Sequence, residues 1–249
     1  YRLFTASHLP EKITVFGVGQ HTQDIYNADA LSEILGKTVI TRTFPEVVGR
    51  EIRRIHQEPV SFTQDERDVY QMAMKDFWKM RENYFASTGN FRKDAMMRLM
   101  QQITLLLRIS AAPDTVVEYQ GGLPTKIRRV VEMAGQFDNE IVAIGVRHKA
   151  VLDSYRVALE EAFPDRTIFA VTGGTTSFAQ RRKLRKTLKE SGNGILLCTQ
   201  QSLPSSVNFE YVNKVIIPEL HYNNAKMSQF YMRFVRYNST EWKDIYFVT

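Results

Sequence analysis

From about Asp138 to the C-terminus, short apolar runs alternate with amphipathic stretches. The runs are IVAIGV (141–146), TIFAV (167–171), GILLCT (194–199), KVII (214–217) and DIYFVT (244–249). They are apolar throughout rather than at every second position, the pattern of strands covered on both faces. Between them stand KAVLDSYRVALEEAF (149–163), AQRRKLRKTLKESG (179–192) and AKMSQFYMRFVRYN (225–238). The first repeats apolar residues at 151, 152, 155, 159 and 163, a helical stripe, and Pro164 stops it. Gly192 closes the second. Strand–helix–strand repetition implies right-handed crossovers and a parallel sheet, so an α/β lobe is expected over 138–249.

The pattern changes upstream. QDERDVYQMAMKDFWKMRENYFAS and FRKDAMMRLMQQITLLLRIS read as long helices separated by Thr88-Gly89-Asn90, and TKIRRVVEMAGQF as a third after Gly121-Gly122-Leu123-Pro124. Ser61 and Thr63 are both candidate caps for the first, with Glu66 three residues beyond Thr63 as in a capping box. Residues 64–137 are therefore expected to be helical. In residues 1–63, KITVFGV (12–18) and KTVITRTF (37–44) read as strands around a short helix at 29–36.

Composition narrows the classes. The 249 residues are 43% hydrophobic and 24% charged, ordinary for a globular protein. No run of about 18 apolar residues predicts a membrane span. No signal pattern opens the chain, and the missing initiator Met points to a fragment or a processed product. The single cysteine, Cys198, excludes an internal disulfide, so an intracellular setting is expected; in ILLCT it reads as a buried small hydrophobe. One cysteine and five histidines show no metal-ligand spacing, so no metal is expected on this chain. The net charge of +6 leans toward an anionic partner, most simply nucleic acid.

Four stretches carry candidate chemistry. GVGQHT (17–22) lacks the third glycine of a dinucleotide fingerprint, and in LSEILGKT (31–38) the Gly-Lys-Thr precedes a strand instead of following one. Gly36 there reads as a helix C-cap. VTGGTTSFAQRR (171–182) runs from a strand end through Gly173 and Gly174 into a basic helix. It fits equally a phosphate cradle or an ordinary connection capped by Ser177. ILLCTQQSLPSSVNF (195–209) ends a strand at the edge where parallel sheets bind ligands. Finally, QFYMRFVR (229–236) sets Arg233 and Arg236 three residues apart among apolar neighbours, with Gln229 one helical turn earlier. Guanidinium groups fixed by packing suit polyphosphate oxygens.

In order, these elements resemble the second RecA-like lobe of Swi/Snf-type DNA translocases of helicase superfamily two. QFYMRFVR is similar to that family's final motif, Q-x-x-x-R-x-x-R before a hydrophobic strand, with Gln229, Arg233 and Arg236 on the three positions. ILLCT…VNFEYVNKVII resembles the motif before it, with Thr199, Asn208 and Phe209 on the matching places. TGGTTSFAQRR resembles the family's Asp-Gly-Ser/Thr turn followed by an arginine, here Gly174 and Arg181. ITRTFPEVV and VSFTQDERDVYQ are similar to the family's linker and the start of its helical insertion, LLRISAAP to its Leu-Arg-x-x-x-x-x-Pro stretch, and Thr5-Ala6-Ser7 to the motif closing the first lobe. Departures are the loop QQSLPSSV, one residue longer than the family's glycine-rich one, and Asn238-Ser239 where Gly-Gln is usual.

The resemblance implies an architecture: the end of a first lobe and a linker (1–63), a helical insertion (64–137) and a parallel-sheet RecA-like lobe (138–249). It also implies a mechanism. ATP would bind between this lobe and a first RecA-like lobe holding the Mg2+ ligands, with Gln229, Arg233 and Arg236 at the nucleotide and the two arginines as catalytic fingers. Arg147, His148, Lys149, Gly173, Gly174, Arg181, Thr199, Gln200 and Ser202 would lie along the backbone of DNA, preferably duplex. The chain alone would bind ATP poorly and leave it unhydrolysed. Two other readings are a non-catalytic lobe that only binds nucleic acid or protein, and a Rossmann-type enzyme using GVGQHT.

Overall fold

The computed structural model of the chain describes residues 11–14, 17–20, 26–40, 42–116, 119–173, 177–203, 208–221 and 223–249, with residues 11–14, 17–20, Phe178 and Arg181 described by their backbone alone. The chain divides into two compact units, one of residues 1–49 and 76–102, the other of residues 50–75 and 103–249.

In the first unit, β1 (Glu11–Thr14) and β2 (Gly17–Gln20) pair antiparallel, and α1 (Ala28–Thr38) and α2 (Phe44–Val48) follow. A Thr43–Glu46 capping box and Pro45 in the first turn start α2. Three expectations change. GVGQ is one arm of a hairpin and not a strand-to-helix turn, so the dinucleotide reading loses its geometry. Gly36 lies inside α1, whose C-cap is Val39. The strand expected at 37–44 is replaced by the end of α1 and the start of α2, with Val39 and Ile40 52% and 81% exposed. β-branched residues make a strand only where a neighbouring strand accepts them, and none pairs with these among the described residues.

Two 23-residue helices, α3 (Gln64–Ala86) and α4 (Gly89–Ala111), contribute to both units. Within the second unit, α3 opens with the expected capping box: Thr63 N–H donates to Glu66 at 2.8 Å and Glu66 N–H to Thr63 Oγ1 at 3.3 Å. Glu66 is 3% exposed, and its carboxylate also accepts from Thr125 N–H at 2.7 Å and from the Thr125 hydroxyl. Burial alone would raise its pKa, but the hydrogen bonds from Thr125 and Thr63 outweigh it and hold the group ionised. One carboxylate thus joins the N-termini of α3 and α5 (Thr125–Gln136).

The remainder of this unit is a six-stranded parallel sheet. Its strands are β3 (Arg53–Glu58), β4 (Val142–Val146), β5 (Ile168–Val171), β6 (Ile195–Thr199), β7 (Lys214–Ile217) and β8 (Lys243–Val248), in the order β3-β8-β7-β4-β6-β5. Every residue of β4 and β6 is buried, which explains why they read as unbroken apolar runs. The crossover helices are α6 (Lys149–Ala162), α7 (Phe178–Ser191) and α8 (Asn224–Tyr231). α6 packs Val151, Leu152, Tyr155, Ala158 and Leu159 inward. Ser177 caps α7 through a Ser177–Gln180 box, and Gly192 ends it at φ 72, as expected. Cys198 is fully buried, and burial pushes its thiol pKa up.

β3 shifts the expected boundary, because residues 53–58 belong to the sheet and not to a linker. Its pairing with β8 builds a charged cluster on one face. Asp244 accepts from Arg54 at 2.8 and 2.9 Å, His56 at 2.9 Å and Lys214 at 3.0 Å, while the His56 ring stacks on Tyr246 at 4.6 Å. Burial pulls the Asp244 pKa up, but its bonds to His56, Lys214 and Arg54 outweigh that and hold it at about 2. A depressed carboxylate contributes stability above its unfolded pKa and loses it as pH falls through the folded value. Asp244→Asn is therefore expected to lower stability by on the order of 1–2 kcal/mol at neutral pH. It should also flatten the decline between about pH 4 and 2, measured by urea unfolding at stepped pH. A wild-type stability that stays level across that window would refute this. Among the described residues, no helix is long and apolar enough to cross a membrane.

Candidate functional site

Four strands deliver residues to the carboxyl edge of the sheet: Arg147 and His148 follow β4, Thr172 and Gly173 follow β5, Gln200 and Gln201 follow β6, and Glu219 follows β7. The edge is held by a buried polar lattice. Glu219, 2% exposed, accepts from the N–H groups of Arg147 at 2.6 Å and His148 at 3.2 Å and is bonded to His148 Nδ1. Gln200 donates its N–H to Val146 O at 2.7 Å, and its amide to Gly145 O at 3.1 Å and Glu219 O at 2.6 Å. These bonds fix the ends of β4, β6 and β7 relative to one another.

Two neighbouring clefts open on this edge and share Gln201. The first, about 270 Å³, is lined by Gln201, His221, Lys226, Gln229, Phe230 and Arg233 among others. Among the described residues no carboxylate lines it, so the charge they bring is cationic. Lys226 and Gln229 are exposed on α8, one turn apart. His221 is buried and its Nδ1 accepts from Asn223 N–H at 2.8 Å. Burial first, then Arg147 and Lys226, lowers its pKa, so the ring is neutral at physiological pH.

QFYMRFVR departs from its expected form here. α8 ends at Tyr231, and the chain continues in tighter turns in which Arg233 N–H donates to Phe230 O and Phe234 N–H to Tyr231 O, both at 3.0 Å. The two arginines therefore do not share a helix face. Arg233 enters the first cleft, whereas Arg236 does not line it. Arg236 is half-buried, its Nε makes no hydrogen bond among the described residues, and burial followed by the neighbouring Arg233 lowers its pKa. Phe230, Phe234 and Val235 are each at most 2% exposed and anchor the turn, as the apolar spacing implied.

The second cleft, about 470 Å³, is lined by Arg147, Lys149, Thr172, Gly173, Thr199 and Ser202, together with Gln201. Lys149 is exposed at the first position of α6, and Gly173 is exposed beside it. Thr199 and Ser202 are buried in the floor with their hydroxyls bonded to each other. The structure thus gathers five of the nine residues expected along DNA: Arg147, Lys149, Gly173, Thr199 and Ser202. Gln200 lines the first cleft but its amide is committed to the lattice, and His148 is tied to Glu219. Gly174, loop residues 204–207 and Thr5-Ala6-Ser7 lie outside the described residues, as does the side chain of Arg181. His221, Lys226 and Glu219 escaped the sequence reading, whereas Gln201 belongs to the 200–206 loop that the resemblance sets along DNA. The signal for His221 and Glu219 was available, since PELH follows an apolar strand just as TQQS does. Among the described residues, no three His, Cys, Asp or Glu side chains are grouped to hold a metal ion.

No protein-family model matches this sequence, and no curated protein matches it. Solved structures do. The C-terminal part of the Fun30 ATPase domain superposes with a TM-score of 0.61 at 12% identity, over 79% of this chain and 84% of that one. The Sulfolobus solfataricus SWI2/SNF2 ATPase core in complex with dsDNA gives 0.62 at 14% identity, over 89% of this chain and 46% of that one. The C-terminal domain of the Sulfolobus ATPase alone gives 0.58 at 12% identity, over 79% and 78%. The chain spans most of those C-terminal pieces and under half of the ATPase core. With six parallel strands in one sheet among its described residues and long helices before it, the chain has the RecA-like α/β fold of the C-terminal domains of the Fun30 and Sulfolobus SWI2/SNF2 ATPases.

Proposed function

We propose that the chain is the second motor lobe of an ATP-dependent DNA translocase and works against a first lobe that carries the phosphate-binding loop and the Mg2+ ligands. The observation behind this reading is the convergence of Gln229, Lys226 and Arg233 in one cleft at the carboxyl edge, beside a second cleft lined by Arg147 and Lys149. The donor set of the first cleft suits a polyphosphate: a permanently charged fork, an ammonium and an amide, with no opposing carboxylate among the described residues. Its volume of about 270 Å³ falls below the roughly 300–1,000 Å³ of ordinary ligand pockets, as befits half of a site shared with a partner lobe. Bound ATP with Mg2+ would supply the phosphoryl group whose transfer to water drives stepping. Arg233 would neutralise charge on its oxygens, and Gln229 and Lys226 would orient it. Arg236 would reach it only if the turn after α8 rearranges as the lobes close.

In the second cleft, Lys149, Arg147 and the Gly173 backbone would hold phosphates without reading bases, which suits a motor that steps along any sequence. The Sulfolobus core was solved with duplex DNA, which supports choosing that partner. The test is binding by the intact protein to labelled duplexes of unrelated sequence. Lys149→Ala should weaken binding uniformly and make the slope of log K against log salt shallower by about 1. Sequence-dependent loss, or no loss, counts against the cleft. In the same reading the isolated 249 residues bind ATP weakly and do not turn it over.

A non-catalytic lobe that only binds nucleic acid or protein is the second reading. It is favoured by the position of Arg236, half-buried and outside the cleft. ATP turnover by the intact protein separates the two.

A further inference from the structure

Helix α7 carries nearly all of the chain's excess charge. Its sequence FAQRRKLRKTLKES holds six cationic side chains and one carboxylate, a net of +5, against +6 for all 249 residues. Local helix energetics disfavour this arrangement. No acidic residue complements the dipole in the first turn, and Arg182–Lys186 and Arg185–Lys189 place like charges four apart. A helix that keeps like charges at this spacing despite their local cost points to a function for those residues.

The helix is clamped so that its charge faces outward. Leu188 is fully buried, Arg185 donates to Asn208 O at 2.6 Å and to Glu210 at 2.5 Å, and the Tyr211 hydroxyl donates to Arg185 O at 2.8 Å. With that side committed to the β6–β7 connection, Lys183 and Lys186 are exposed away from it and Lys189 is exposed at its margin. The Lys186 side chain is 79% exposed and pairs with Glu190 at 3.7 Å, and Lys189 Nζ sits 5.9 Å from the centre of the Tyr211 ring. Arg182, Lys186 and Lys189 follow one another at i, i+4 and i+7, spread over about 10 Å of helix. A nucleic-acid strand offers a phosphate about every 3.4 Å of its axis, so such a stripe can meet two or three.

We infer that the outer face of α7 is a second phosphate-backbone contact that extends the Arg147–Lys149 cleft sideways along the nucleic acid. Continuity supports this occupant: Thr172 and Gly173, which line the cleft, belong to the connection that leads into α7. A lipid surface fits less well, because the apolar residues Leu184 and Leu188 face inward and leave no apolar side to insert. An acidic peptide would account for the charge but not for its continuity with the cleft.

The inference rests on the nucleic-acid reading of the lobe, and the experiment keeps the two apart. The intact protein carrying Lys183→Gln, Lys186→Gln and Lys189→Gln together is titrated with a short fluorescent duplex from about 50 to 200 mM salt. Glutamine keeps the helix propensity of lysine, so the fold should survive. The expected result is a slope of log K against log salt shallower by about 2 to 3, with affinity near 100 mM reduced roughly tenfold or more. Lys186→Glu alone is the second variant should the triple one misfold, with a slope shallower by about 1 to 2. A wild-type slope in these variants, alongside the expected loss in Lys149→Ala, overturns the inference and leaves the cleft standing. Failure of the wild-type protein to bind duplex at all overturns both. Unchanged duplex binding with lost binding to polyglutamate or to anionic vesicles also overturns it, giving the helix to a different partner.

Discussion

Replacing Arg233 with alanine in the intact protein is expected, on the motor-lobe proposal, to lower nucleic-acid-stimulated ATP turnover by about 10³-fold, with KM for ATP changed much less. Arg233 lines the cationic cleft, which has no carboxylate among the described residues, so its charge is available to a ligand. Its backbone is held by its own N–H to Phe230 O and by Phe209 N–H donating to Arg233 O at 3.4 Å, while Phe234 and Val235 beside it are buried. Truncating the side chain therefore removes a charge without opening the core, and Tm should move little. Arg233→Lys should restore only part of the rate, because an ammonium cannot present two parallel donors. Arg236→Ala should cost less turnover, given its place outside the cleft. Unchanged turnover in Arg233→Ala would defeat the motor reading in favour of the non-catalytic one.

The second large effect is on stability. Phe230→Ala is expected to lower the unfolding free energy by about 3–5 kcal/mol, measured by urea denaturation. Phe230 is 2% exposed, stacks edge-on with Phe234 at a centroid distance of 5.5 Å, and also walls the first cleft. It fits because residue 145 is glycine: a Cβ there would stand 2.3 Å from the ring. Gly145→Ala should consequently cost about 1–3 kcal/mol by displacing the ring, and the double variant should lose less than the two single losses combined. Strict additivity would show that the ring and the glycine do not share this space.

The parallel sheet was legible because its strands are covered on both faces, and apolar runs such as VAIGV and ILLCT have few other uses. β3 was not. RRIHQE holds one aliphatic residue, Ile55, and that residue is 50% exposed, since an edge strand needs little apolar surface. The misread strand at 37–44 is the converse: β-branched residues without a partner to pair with. Within the site, residues on strand ends were legible because topology alone places them. The divergence of Arg233 and Arg236 was not, because Phe, Tyr and Val have weak helix propensity and packing decided where α8 stops. Nor could spacing reveal that Gln200 is consumed by Gly145 and Glu219, contacts made across 55 and 19 residues.

The outer position of β3 bears on how the lobe should be produced in isolation. A piece beginning near Asp138 would contain five of the six strands yet leave β8 bare along one side. That margin reads KDIYFV, with Ile245, Phe247 and Val248 buried in the complete sheet. An uncovered apolar margin with unsatisfied backbone groups recruits other chains. Expression should therefore start upstream of Arg50, or the product will precipitate for reasons unrelated to its activity.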